Sequence, residues 1–268
     1  MKKTFIIVLI AVFYFQAGAM TEYFAGDTLV NWAKGGLNIR MEGDLSSEKT
    51  GWIPYGEKVK VLETKYGVEE DELEIQLMPD WVDTTSGMAH YPGYYLTGKW
   101  VKITYGDCTG YVFDGYLSRY AAPVFAGNGD ELALESIDDF LWHSFGGGVL
   151  SSKGDESLNL TKYKSGVVRK SALNDARYTK YVFPDFSLNE MMLLVCYGSL
   201  LKGERAAQWG VVFDGYSDIT LARKLVVVPS VDADSEVRIT TLNGVVILEI
   251  EEWGYFPENA HEFTQNIF

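Results

Sequence analysis

Two groups of side chains in this sequence could do chemistry. The first centres on Cys108, within Asp107-Cys108-Thr109-Gly110. A cysteine that opens a helix beside a histidine is a thiolate nucleophile, because the helix terminus and the imidazolium both lower the thiol pKa. Three histidines could partner it: His90, His143 and His261. His90 precedes the motif, His143 falls inside a predicted helix and His261 lies in the C-terminal tail. The second group is aromatic. Tyr55, Trp81, Tyr91, Tyr94 and Tyr95 cluster around Gly56, Gly87, Pro92 and Gly93. An excess of rigid rings in loops suits carbohydrate or peptide binding.

Other chemistry finds little support. Three isolated histidines argue against a His-based zinc site. Asp232-Ala233-Asp234-Ser235-Glu236 echoes a calcium loop but lacks the glycine and terminal glutamate that such a loop needs. Asp138 and Asp139 are adjacent on a predicted helix, hence about 100° apart, a poor carboxylate pair. Glu69 to Glu72 reads as a solvated acidic run. Gly146-Gly147-Gly148 follows a helix, so it is not placed to cradle phosphate. No metal or cofactor is expected. The formal net charge is −14, a field that repels nucleic acid and anionic surfaces. No basic stripe with interleaved aromatics offsets it.

The elements that must position these residues are short strands. Leu37-Asn38-Ile39-Arg40, Lys58-Val59-Lys60-Val61-Leu62-Glu63 and Trp100-Val101-Lys102-Ile103-Thr104-Tyr105 alternate apolar and polar, and Gly110-Tyr111-Val112-Phe113 is a more uniformly apolar run. Period-2 alternation broken by Gly, Pro and Asp predicts half-buried strands of a small barrel. Four motifs in this order, Asn38-Ile39-Arg40, Gly56-Glu57-Lys58-Val59-Lys60-Val61, Trp100-Val101-Lys102-Ile103 and Gly110-Tyr111-Val112, resemble those of bacterial SH3-like (SH3b) domains. The resemblance runs from about Leu37 to Leu117. It implies a small β-barrel that binds cell-wall peptide or envelope proteins. The departure is the connection from Glu63 to Lys99, about 35 residues where the family has a tight hairpin. Leu73-Glu74-Ile75-Gln76-Leu77 alternates like a strand within it.

Asp107-Cys108-Thr109-Gly110 also resembles the Asp-Cys-Ser-Gly motif of NlpC/P60 cysteine peptidases, which implies wall hydrolysis with Cys108 as nucleophile. The same residues serve as the closing strand of the barrel, and a strand cannot supply a helix N-terminus. That family places its histidine on a downstream strand, whereas His143 is helical.

Residues 1–19 read as a secretory leader. Met1-Lys2-Lys3 is positive, Thr4 to Phe15 is almost wholly apolar, and Ala17 and Ala19 present small residues two apart for cleavage. No later run is long and apolar enough for a transmembrane helix, so a stable membrane span is not expected after cleavage, and the location is periplasmic or extracellular. Loss of Lys2 and Lys3 takes the net charge to −16. Cys108 and Cys196 could bridge in an oxidising compartment or remain free thiols.

The second half begins near Pro123, with Gly127-Asn128-Gly129-Asp130 as a linker. Leu134, Ile137, Leu141 and Phe145 share one face of a helix predicted from Leu132 to Phe145. Ser187-Leu188-Asn189-Glu190 is a capping box opening a helix from about Leu188 to Leu201. Val211–Phe213, Leu225–Val228, Val237–Thr241 and Val245–Ile250 read as strands, the last two joined by an Asn243-Gly244 hairpin turn. Val112-Phe113-Asp114-Gly115-Tyr116 recurs at Val212 to Tyr216 with unmatched flanks, as strand–turn signals do by chance.

The expected fold class is mainly β. An N-terminal SH3-like barrel with an enlarged hairpin insertion (residues 20–123) precedes an α+β domain with two helices and a mostly antiparallel sheet (124–268). The expected function is non-catalytic binding of cell-wall peptide or an envelope protein. A wall hydrolase using Cys108, or an assembly subunit of an envelope complex, is the alternative. Oligomeric state is left open.

Overall fold

The computed structural model describes residues 23–63, 73–78, 81–83, 89–91, 93–126, 133–134, 137–144, 148–154, 158–173, 177–197, 212–214, 217–218, 221–229, 235–242 and 244–252. The leader expected at 1–19, His261, the acidic run at 69–72, the linker at 127–130, Gly146 and Gly147, and Asp232 to Asp234 lie outside them.

The alternating runs form the predicted strands. In chain order these are β1 (Thr28–Asn31), β2 (Leu37–Arg40), β3 (Lys49–Ile53), β4 (Lys58–Glu63), β5 (Leu73–Met78), β6 (Trp81–Asp83), β7 (Ala89–Tyr91), β8 (Tyr94–Gly98), β9 (Trp100–Tyr105), β10 (Cys108–Phe113) and β11 (Leu117–Ser118). Seven of them make one antiparallel sheet in the order β11-β1-β4-β9-β10-β2-β3. Laid flat, β1 and β3 would stand five strand spacings apart, about 24 Å. Yet Leu29 of β1 and Ile53 of β3 belong to one buried cluster with Ile39, Val59, Val61, Val101, Ile103 and Val112. The sheet therefore curls around that cluster as a barrel.

Asn31, fully buried, closes it. Its Nδ2 donates to the carbonyls of Ile53 and Pro54, both at 3.0 Å, and its Oδ1 accepts from the Ala33 amide at 2.9 Å. Its backbone pairs across the same seam: the Asn31 amide donates to Glu57 O at 2.9 Å and Asn31 O accepts from the Gly56 amide at 2.8 Å.

The enlarged connection is a two-part hairpin arm. β5 pairs with β8, and beyond them β6 pairs with β7. The alternation read from Leu73 to Leu77 sets its faces: Ile75 lies opposite Leu96, which is fully buried, while Gln76 lies opposite the exposed Tyr95.

The second unit comprises β12 (Phe125–Ala126), β13 (Ala133–Leu134), α1 (Ile137–Ser144), β14 (Val149–Gly154), β15 (Leu158–Tyr163), β16 (Val168–Leu173), β17 (Arg177–Pro184), α2 (Leu188–Tyr197), β18 (Val212–Asp214), β19 (Ser217–Asp218), β20 (Leu221–Pro229), β21 (Ser235–Leu242) and β22 (Val245–Glu252). Its antiparallel sheet runs β14-β15-β16-β17-β22-β21-β20-β18, with β19 also on β20. The Gly244 turn is present, with φ at 76°. One expectation is corrected. The first helix starts at Ile137, not Leu132, because Ala133 and Leu134 pair with Ala126 and Phe125 as a short hairpin. A pairing across the chain overrides the helical spacing of Leu134.

The capping box forms as predicted. The Glu190 amide donates to Ser187 Oγ at 3.1 Å, and the Ser187 amide donates to Glu190 Oε2 at 2.7 Å. Every residue of α2 from Leu188 to Val195 is buried, the signature of a helix enclosed on all sides. It lies in one cluster with Tyr181, Phe183, Ile239 and Leu248 of the second sheet and with Trp32, Tyr94, Leu96 and Phe113 of the barrel unit. The two sheets thus share a core across the Pro123 region. This overturns Tyr94 as a surface ligand residue: it is 2% exposed, and its hydroxyl donates to Asn189 Oδ1 of α2 at 3.1 Å.

Candidate functional site

The barrel carries an open groove of about 330 Å³, within the range of small-ligand sites. Phe113 and Tyr116 both line it and meet edge-on at 5.9 Å. Trp100, at the start of β9, and Ile75, on the arm, form part of its lining, together with Leu45, 54% exposed, from the β2–β3 loop. Among the described residues, the charged side chains that line it are Lys34 and Arg40. The groove is thus aromatic, apolar and locally cationic on an acidic chain.

Each part is positioned by local rules. The Gly36 amide donates to Ala33 O at 2.8 Å, closing a turn that places exposed Lys34 in its first central position. Asn31 Oδ1 holds the Ala33 amide that enters this turn. Gly36 has φ at 79°, and a Cβ there would sit 2.1 Å from Trp52 Nε1; only glycine lets the half-exposed Trp52 indole lie against the turn. Arg40 Nη1 donates to Ser47 O at 2.6 Å and so ties the β2–β3 loop to the barrel. Gly43 of that loop lies against Trp100, where an added Cβ would come within 2.9 Å.

The residues singled out in the sequence do not assemble into one surface. Tyr55 is partly buried, its hydroxyl donating to Pro123 O at 2.7 Å, which ties the barrel to the chain entering the second unit. Tyr94 is core. Tyr95 is exposed and accepts from Gln76 Nε2 at 3.2 Å. Trp81 and Tyr91 lie opposite one another in the β6–β7 hairpin; their side chains are outside the described residues. Lys34, Leu45 and Tyr116 line the groove without any sequence motif that marks them. The sequence presents Trp100 and Arg40 only as strand residues of the family motifs. The available signal was Lys34-Gly35-Gly36 beside a first strand rich in the family's pattern.

Cys108 opens β10, a strand paired with β9 through Tyr105, so no helix terminus acts on its thiol. His143 lies exposed on α1; His90 belongs to β7. Both cysteines are free thiols. Cys108 packs against the barrel cluster and Cys196 against the shared one; burial pushes the Cys196 thiol up to about 12.

A second polar constellation sits where α2 meets the barrel. Tyr23, Asp114, Ser118, Asn189 and Glu190 line a crevice of about 30 Å³, room for a water or two and no substrate. Burial pushes the Asp114 carboxyl up to about 6, against the opposing pull of the Tyr23 hydroxyl and the Lys99 amide that bond to it. Burial also raises Glu190, opposed by donation from Ser118 and from the Ser187 amide. Each carboxylate oxygen has a donor within the protein, so the pair is structural. Among the described residues, no group of side chains could hold a metal ion and no helix is long and apolar enough to cross a membrane.

The family model of the bacterial SH3 domain matches residues 35–118. Residues 35–118 are therefore a bacterial SH3 domain, a module that typically binds peptidoglycan or proteins. The match begins after β1, which the structure inserts between β11 and β4, and spans the hairpin arm. No curated protein and no solved structure matches the chain.

Proposed function

We propose that this chain is an exported, non-catalytic binding protein whose bacterial SH3 domain captures an extended peptide of the cell wall or of an envelope protein. The observation that carries this reading is the groove, where Trp100 and Tyr116 stand with Lys34 and Arg40. Ring faces grip extended backbone and apolar side chains without a large entropy cost. The two cations suit peptide carboxylates, which the rest of this acidic surface repels. Export is supported by the leader-like Met1–Ala19 segment. A binding rather than hydrolytic role is supported by Cys108 lying on a strand.

Co-sedimentation of residues 20–268 with purified peptidoglycan sacculi tests the wall-peptide form of this reading. The wild-type protein is expected in the pellet, and Lys34→Glu combined with Leu45→Asp, both at exposed positions, in the supernatant. Wild-type protein left in the supernatant, or a double variant that pellets equally, would overturn it.

A further inference from the structure

We propose that the second unit carries a site of its own for a sugar ring, in the cavity between α1 and the β14–β15–β16 edge of its sheet. This site is independent of the barrel groove. The cavity holds about 310 Å³, the low end of the range for small-ligand sites.

Its walls have two characters. α1 buries Phe140 and Leu141 in the shared core, at 1% and 0% exposure. Asp139 and Trp142 are three residues apart and so share a helix face; both are exposed and both line the cavity. Trp142 is 55% exposed, a large indole left at the mouth rather than packed away. Opposite it, the sheet register aligns Ser152 with Thr161 and Thr161 with Arg169. Cross-strand partners point to one face, so these three side chains form a polar row across three strands. Asn159 ties part of that row together: its Oδ1 accepts from Thr161 Oγ1 at 2.9 Å and from Ser152 Oγ at 3.3 Å.

A flat apolar ring with a carboxylate beside it on the helix, across the cavity from a row of hydroxyl and guanidinium groups, matches a pyranose. One face of such a ring presents C–H groups that pack on an indole, and its edge presents hydroxyls that both donate and accept. An extended peptide fits less well, since it would follow a strand edge and the polar row runs across the strands. A phosphorylated ligand is disfavoured by Asp139 and by the net charge of −14.

The test uses the indole N–H resonances of ¹⁵N-labelled protein, which contains seven tryptophans. Trp142→Phe identifies the Trp142 signal. Chitotriose, cellotriose and maltotriose are each titrated to about 10 mM, the range of weak single-ring sites. At least one of them is expected to shift the Trp142 signal saturably, and Trp142→Ala, followed on the backbone amides of Ser152, Thr161 and Arg169, is expected to weaken that sugar about tenfold or more. The melting temperature should hold in this variant, because the ring is exposed. A Trp142 signal unmoved by all three sugars would overturn the proposal. So would binding that survives Trp142→Ala, or shifts confined to Trp52 and Trp100, which would place the sugar at the barrel instead.

Discussion

Ser118 Oγ donates to Glu190 Oε1 at 2.5 Å. Ser118 ends the last barrel strand, opposite Val30, and Glu190 is the capping-box glutamate of α2. One carboxylate therefore caps the central helix of the second unit and accepts a hydrogen bond from the barrel. Asn189, its neighbour, adds a bond from Nδ2 to Thr97 O at 2.6 Å. The barrel is docked on the helix N-terminus by directional bonds, over a core that both units share.

That shared carboxylate should make the two positions non-additive. Glu190→Ala removes the cap and leaves Ser118 without its acceptor, a loss of about 2–3 kcal/mol. Ser118→Ala orphans one buried carboxylate oxygen. A double-mutant cycle by urea unfolding should return a coupling of about 1 kcal/mol or more. Additive losses would mean that the bond contributes nothing.

The junction also sets a pH dependence. Asp114 has an ordinary value of 3.8 and is pushed up to about 6 in the fold. Between those values the folded protein holds a proton that the unfolded chain has released. The contribution is full below about pH 4 and is lost as pH rises through about 6, amounting to about 3 kcal/mol at most. Glu190, also raised by burial, acts in the same direction. The melting temperature should fall from pH 4 to pH 7, and Asp114→Asn should flatten part of that fall. Parallel curves for wild type and variant would contradict the assignment.

Asn31→Ala should open the barrel seam. It leaves the Ile53 and Pro54 carbonyls and the Ala33 amide without the Asn31 side chain, at about 2–4 kcal/mol in total. Because Asn31 also enters the Lys34 turn, the variant should lose groove binding even where it remains folded. Denaturant unfolding and sacculus co-sedimentation, read together, check both effects.

Gly110→Ala tests why the closing motif begins with glycine. A Cβ there would meet Arg40 O at 2.4 Å and Ile39 Cγ2 at 2.6 Å. β10 would have to part from β2, which it meets through Tyr111 and Arg40. The expected loss is about 2–4 kcal/mol, measured by thermal unfolding.

The barrel was legible because its strands alternate cleanly and its glycines sit where backbone must approach backbone, as at Gly110. The capping box was legible for the same local reason: Ser187 and Glu190 need only each other. Four strands from Val149 to Pro184 gave no such signal. Val168-Arg169-Lys170-Ser171 is rich in charge, and β17 buries Lys180 at 2% exposure, balanced by Glu249 at 3.3 Å. A strand whose buried position is a lysine looks like a surface segment until its ion partner, distant in sequence, is known. The site was illegible for a similar reason. Tyr94 and Tyr95 are adjacent, yet alternation sends one into the shared core and the other to solvent. Lys34, Arg40, Leu45 and Trp100 converge only through barrel closure.

The most direct test of the groove is to add sugar-free stem peptides, released from sacculi by an amidase, to ¹⁵N-labelled protein and follow the tryptophan indole signals. Saturable movement of the Trp100 signal, weakened about tenfold or more by Lys34→Glu and reduced by added salt, is the predicted result. A Trp100 signal that stays in place while sacculi still retain the protein would contradict the account and put the wall contact elsewhere on the molecule.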